Sequence, residues 1–179
     1  PTGTVLVVGL LCFVVYLAEG AILDWSALYL TQDKGMAIHL AGLGYASFAL
    51  LVTIARLGGG PLISRLGAVR VVAYGAIVAT SGLTLSILSG HWLLALLGYA
   101  LCGLGCANIS PVLISSLNRQ NEMPVHLAVT AATTVGFAGV LAGPALMGLV
   151  AHFSSLAIAF ALVAMLLMAI VFSISRLPR

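Results

Sequence analysis

Apolar residues run along this chain in six long blocks, each closed by a short cluster of polar, glycine or proline residues, a pattern that predicts six transmembrane helices. The predicted spans are 4–30, 40–63, 71–88, 92–116, 125–151 and 156–175. Each is close to the roughly 20 residues that carry a helix across a bilayer. The connections are short: a turn at 31–35, a basic glycine-containing link at 64–70, a tight turn at 89–91 and a polar link at 118–124. An all-α polytopic membrane protein follows, with residues 1–179 as a single six-helix domain.

Charge orients the bundle. Arg65, Arg70, Arg119, Arg176 and Arg179 all fall at one end, against Lys34 at the other. Basic residues in short connections stay on the cytoplasmic side, so that end and both termini of the segment are predicted to be cytoplasmic. With 62% hydrophobic and 6% charged residues, the composition excludes a soluble domain, which carries about a quarter charged residues. The net charge of +3 does not point to nucleic acid, because the arginines stand singly at helix ends as topology anchors. Cys12, Cys102 and Cys106 lie inside apolar blocks, where a thiol behaves as a small hydrophobe and implies no disulfide framework. His39, His91, His126 and His152 fall at or near span ends, so no metal site and no cofactor is expected. The chain begins at Pro1 and runs straight into a span without a signal-peptide pattern, which suggests a fragment with an upstream part missing.

Polarity is shared unevenly. The first, second, fourth and fifth spans carry Glu19, Tyr45, Asn108, Thr133 and most of the intramembrane glycines, whereas the third and sixth are nearly plain. Polar groups at mid-depth need protein or water beside them. Four helices are therefore expected to surround something polar and two to lie outside. Gly60-Pro61-Leu62 in the second span and Gly143-Pro144-Ala145-Leu146 in the fifth mark the middle helices of two triplets crossing in opposite directions, a pattern found in secondary transporters.

Glu19 is the sharpest signal, since an ionised carboxylate near mid-bilayer costs on the order of 3 kcal/mol even on lenient scales. It must face water, bind a cation, hold a proton or hydrogen-bond a neighbouring helix. Tyr16 lies one turn before it and Ser26 two turns after, forming one polar stripe. Asp24 is about 140° round a regular helix from Glu19, so the two carboxylates diverge unless Gly20 breaks the helix. Trp25 and Tyr29 sit where an interfacial aromatic belt is expected. On the second span Tyr45, Ala49, Val52 and Arg56 share a face; Arg56 either snorkels, the commoner outcome, or pairs with a carboxylate on an adjacent helix. Gly98, Cys102, Cys106 and Ser110 form a small-residue stripe suited to close packing, as do Gly136, Gly139, Gly143 and Gly148. Pro111 frees a carbonyl in the preceding turn, and Asn108 beside it is open to two roles, ligand contact or an interhelical hydrogen bond. Thr133 and Phe137 are candidates to line a cavity, with ordinary packing favoured. Tyr16, Glu19, Tyr45 and Asn108 are the candidate substrate-binding residues, and Glu19 is also the candidate carrier of a coupling proton, since a carboxyl withdrawn from water is easier to protonate.

The stretch RLGGGPLISRLGAVR, residues 56–70, resembles the cytoplasmic loop signature of the major facilitator superfamily, with Gly60, Arg65, Gly67 and Arg70 matching and Ser64 in place of the acid. The run GFAGVLAGPALMG, 136–148, looks like the glycine-proline motif of the fifth helix of a facilitator half. EGAILDWSALYL and GLGCANISP are similar to the sugar-permease-like, fucose-permease-like branch of bacterial facilitators. The resemblance covers nearly the whole chain. It implies the carboxy-terminal half of a twelve-helix transporter of the bacterial inner membrane, partnered by an amino-terminal half and by the lipid bilayer. That transporter would move a small solute such as a sugar by alternating access. It also implies that Gly60, Arg65, Gly67 and Arg70 form a cytoplasmic gate, glycine letting helix ends pack tightly and arginine closing the gate by charge pairing. An intramembrane serine protease would need a G-x-S-G nucleophile and a deep histidine, and a water channel would need Asn-Pro-Ala loops; neither set is present. A channel or sensor on a six-helix bundle stays open as the alternative.

Overall fold

In lipid each backbone N–H and C=O must be satisfied within the segment, which leaves helices as the answer for apolar blocks of this length. The computed structural model describes residues 3–174, so the predicted anchors Arg176 and Arg179 lie outside the described residues. Its helices are α1 (Gly3–Gln32), α2 (Leu43–Leu57), α3 (Gly59–Leu66), α4 (Ala68–Leu88), α5 (Trp92–Cys106), α6 (Ile109–Ser116), α7 (Val125–Phe153) and α8 (Leu156–Ser173). Among the described residues six helical stretches are long and apolar enough to cross a membrane, one in each block of the sequence, although the second ends at Leu57 instead of 63.

Local chemistry sets the boundaries. His91 Nδ1 accepts from the Leu93 N–H at the start of α5, and Ser155 Oγ accepts from the Ile158 N–H at the start of α8, each satisfying a donor with no partner in its own helix. Gly67, at φ +84°, ends α3 and begins α4 in a conformation that a side chain would strain. The second and fourth spans are broken, at Gly58 and at Ala107–Asn108. The fifth is not: α7 runs through Pro144. Nor is the first, where α1 continues through Glu19, Gly20 and Asp24. Gly20 does not bring the two carboxylates together, and Asp24 is exposed at a separate cleft with Trp25, Thr31 and Ile38.

Glycine sets the distance between helices. A Cβ on Gly139 of α7 would run into the Phe13 carbonyl of α1, and one on Gly82 of α4 would come within 2.5 Å of Cys102 N and Gly98 O of α5. Small residues permit such backbone contact where lipid offers no hydrophobic drive for helix association. Tyr29, Tyr99 and Phe160 pack as a buried aromatic group between α1, α5 and α8. Within the chain α1 and the α5–α6 span are the most enclosed, whereas only 17% of the α2 span and 22% of α7 is buried. Both contact α1, and both leave apolar surface uncovered, including Leu50 and Ile54 on α2 and Phe137 and Leu141 on α7.

Lys34 ties the turn after α1 to the end of α4. Its Nζ donates to the carbonyls of Ile87 (2.8 Å) and Ser89 (2.6 Å) and lies 5.1 Å from the centre of the Tyr29 ring. These carbonyls belong to a helix C-terminus, where a cation is favoured. Burial draws the ammonium below the ordinary lysine range, with Asp33 opposing. Lys34→Ala is expected to cost about 1 kcal/mol, read as a lower melting temperature of the full-length protein in detergent. An unchanged melting temperature would show that water replaces both bonds without loss.

Candidate functional site

The two helix breaks face each other, and each supplies what the other lacks. Pro111 has no N–H to close the turn onto Ala107, and Arg56 Nε donates to that freed carbonyl at 3.2 Å. In return Asn108 Nδ2 donates to the carbonyl of Ala55 at 3.1 Å, beside the break at Gly58. Gly59 makes room, since a Cβ there would collide with Asn108 Oδ1. Arg56 is thus held along one edge by backbone. Its Nη2 lies 3.7 Å from Glu19 Oε1 on α1. That oxygen is shut off from solvent and has no hydrogen-bond partner, so the ion pair is what offsets its burial.

A cleft of about 280 Å³ opens over the pair, lined by Glu19, Tyr45, Phe48, Val52 and Arg56 with Val140 from α7. Glu19 and Tyr45 therefore share one cavity. Tyr16 stands one turn away, stacked on Phe137 with ring centres 5.1 Å apart. Asn108 is buried and committed to its interhelical bond, so of its two expected roles the structure displays the structural one. The Ser110 hydroxyl is buried without a hydrogen-bond partner. Ser26 leaves the polar stripe: it is buried in the α1–α2 contact against Gly44. Thr133 bonds to its own helix through the carbonyls of Val129 and Thr130. Cys102 and Cys106 are buried free thiols.

Arg56 was missing from the candidate pocket, because snorkelling is the commoner fate of an arginine near a span end. The signal was its place on the same helical face as Tyr45. The four residues of the loop signature lie together around α3, all exposed. Gly60 and Gly67 do not make the expected close approach, since a Cβ on either would meet open space. Gly59 makes that approach instead, and Gly67 serves the turn through its positive φ. Among the described residues neither Arg65 nor Arg70 meets a carboxylate, as Ser64 in place of the acid already implied.

Over residues 8–179 the chain matches the family model of the Major Facilitator Superfamily. It belongs to that superfamily. This facilitator chain is 42% identical over 179 residues to an uncharacterized MFS-type transporter of Yersinia pestis, covering all of itself and 47% of that protein. It is 31% identical over 147 residues to the membrane protein MosC of Rhizobium meliloti, covering 82% of this chain and 36% of the other. A crystal structure of the peptide transporter POT in complex with sulfate superposes with a TM-score of 0.84 at 17% identity, covering 96% of this chain and 37% of that one. At that identity the likeness shows the fold alone. This facilitator chain spans less than half the length of those curated relatives, and its six helices form one half of the twelve-helix facilitator fold. Membership removes the intramembrane enzyme from consideration.

Proposed function

We propose that the chain is the carboxy-terminal six-helix half of a bacterial inner-membrane secondary transporter that moves a small polar solute by alternating access. Superfamily membership and the transporter names of its relatives support the class. The observation that carries the site is the Glu19–Arg56 pair, 3.7 Å apart and lining an open cleft instead of a sealed core. An intramembrane pair of opposite charges facing a cavity is the usual mark of a substrate or ion pathway. Tyr45 supplies a hydroxyl in the cleft with Tyr16 one helical turn from Glu19, and Asn108 braces α2 through the Ala55 carbonyl next to Arg56. An amino-terminal half packs on the uncovered apolar surface of α2 and α7, and the two halves rock about the site between them. The end bearing Arg65, Arg70 and Arg119 faces the cytoplasm, with Gly60, Arg65, Gly67 and Arg70 at the gate.

In this reading Glu19 also carries the coupling proton. When it is charged it holds Arg56; when it is protonated Arg56 is released to the solute. Proteoliposomes of the full-length transporter test it. With Glu19→Gln, exchange of solute across the membrane is expected to persist, while accumulation driven by an imposed pH gradient is lost at least tenfold. Undiminished accumulation would remove Glu19 from the coupling step.

A further inference from the structure

The geometry points to a small organic acid as the solute, with its carboxylate bound by the Nη edge of Arg56. The inference rests on the transporter reading above and concerns the class of molecule that the same cleft accepts.

The two charged members of the cleft are not presented equally. The side chain of Arg56 is 49% exposed and that of Glu19 is 24% exposed, with the oxygen nearest Arg56 out of solvent altogether. An incoming solute therefore meets the cation first, with the carboxylate recessed behind it. Arg56 has five N–H donors in a planar fork. The Nε–H is taken by the Ala107 carbonyl, and that bond fixes the plane of the guanidinium. Its Nη2 is aimed at Glu19 over a gap longer than a hydrogen bond. The Nη edge thus keeps unspent donors, already oriented, of the kind that grips a carboxylate through two parallel bonds.

The rest of the cavity narrows the class. Leu23, Phe48, Val52 and Val140 line it together with the two charges, Tyr45 adds one phenol, and the Thr53 hydroxyl is bonded to its own helix at the Ala49 carbonyl. Apolar walls favour an organic acid with a hydrocarbon or ring body over a bare inorganic anion. A neutral sugar would leave the guanidinium fork without its complement, and an amine would have to pass Arg56 to reach Glu19. Binding a carboxylate to Arg56 also relieves the guanidinium of Glu19, which fits uptake of the acid together with one proton on Glu19.

The test is retention by proteoliposomes of the full-length protein, loaded from a defined mixture: small carboxylic acids, their primary amides, amines of matched carbon skeleton, and neutral monosaccharides. Solutes held above protein-free vesicles are read by mass spectrometry. Retention of carboxylates at least tenfold over the matched amides is expected, with its loss in both Arg56→Gln and Arg56→Lys. The lysine variant keeps the positive charge and removes the fork. The double variant Glu19→Gln/Arg56→Gln, which leaves no unpaired charge, is expected to reconstitute and still retain no acid, so that loss cannot be assigned to misfolding. Retention of amines, amides or sugars with exclusion of the acids would overturn the inference while leaving the transporter reading intact. Carboxylate retention that survives in Arg56→Gln would overturn the assignment to Arg56. Retention of nothing by a reconstituted, folded protein would overturn the transporter reading and the inference with it.

Discussion

Arg56→Gln is expected to destabilise the full-length protein by about 2 kcal/mol, and adding Glu19→Gln to it is expected to restore about half of that loss. Removing one partner from a fully buried ion pair costs about 3–5 kcal/mol, because the other charge is left in a medium that cannot solvate it. Here the value is smaller, since Arg56 is half exposed on this chain and water screens part of the interaction. Much of the cost arises at Glu19: its Oε1 is out of solvent and accepts no hydrogen bond, so without Arg56 that oxygen has no partner and only the exposed part of the carboxylate is left to water. The Ala107 carbonyl also loses its donor, and about 1 kcal/mol of the total belongs to that bond. With both residues replaced by glutamine the buried charge is gone and the two amides can bond to each other. Denaturation in detergent, run on both single variants and the double, gives the coupling directly. A double variant as unstable as the sum of the singles would show that the two side chains act independently.

That pair illustrates where the sequence was legible and where it was not. The six spans could be read along the chain because each depends on local facts, block length and the polar links between blocks, whereas the break at Gly58 inside the second block could not. Glu19 stood out for the same reason, as a charge inside oil. What could not be read was partnership. Whether Arg56 snorkels or turns inward depends on the distance from α2 to α1, and nothing along the chain states it. The same holds for Asn108, whose bond to the Ala55 carbonyl exists because the break at Gly58 lies opposite the break at Ala107. Pro111 announced a freed carbonyl, but only the packed helices show that Arg56 takes it up at Ala107. Glycine was half legible: the stripes on α5 and α7 read as packing faces. In the loop signature, however, the close approach falls on Gly59 instead of its neighbour Gly60, a shift of one residue that moves the contact to another side of the helix.

A large effect is expected at Gly105. Gly105→Val should lower the yield of folded full-length protein by an order of magnitude and cost roughly 3 kcal/mol or more, at the upper end of what overpacking produces. A Cβ at this position would run into the Gly75 carbonyl and the Ala79 N–H and lie 2.8 Å from Ala79 Cα. All are backbone atoms of α4, so no side chain can rotate away and the two helices must separate. Glycine is a poor helix former, so an added side chain gains up to about 1 kcal/mol of helix propensity, which the separation outweighs. The damage also reaches the candidate site, because Gly105 lies two residues before Ala107 and three before Asn108. Displacing that turn removes the acceptor of Arg56 Nε and the donor to the Ala55 carbonyl together. Gly60→Ala is the control, since a Cβ there meets open space; it should leave folding unchanged. Equal folded yield from Gly105→Val and Gly60→Ala would mean that α4 and α5 do not meet backbone to backbone in the assembled protein, and the cross-tied breaks that aim Arg56 would lose their support.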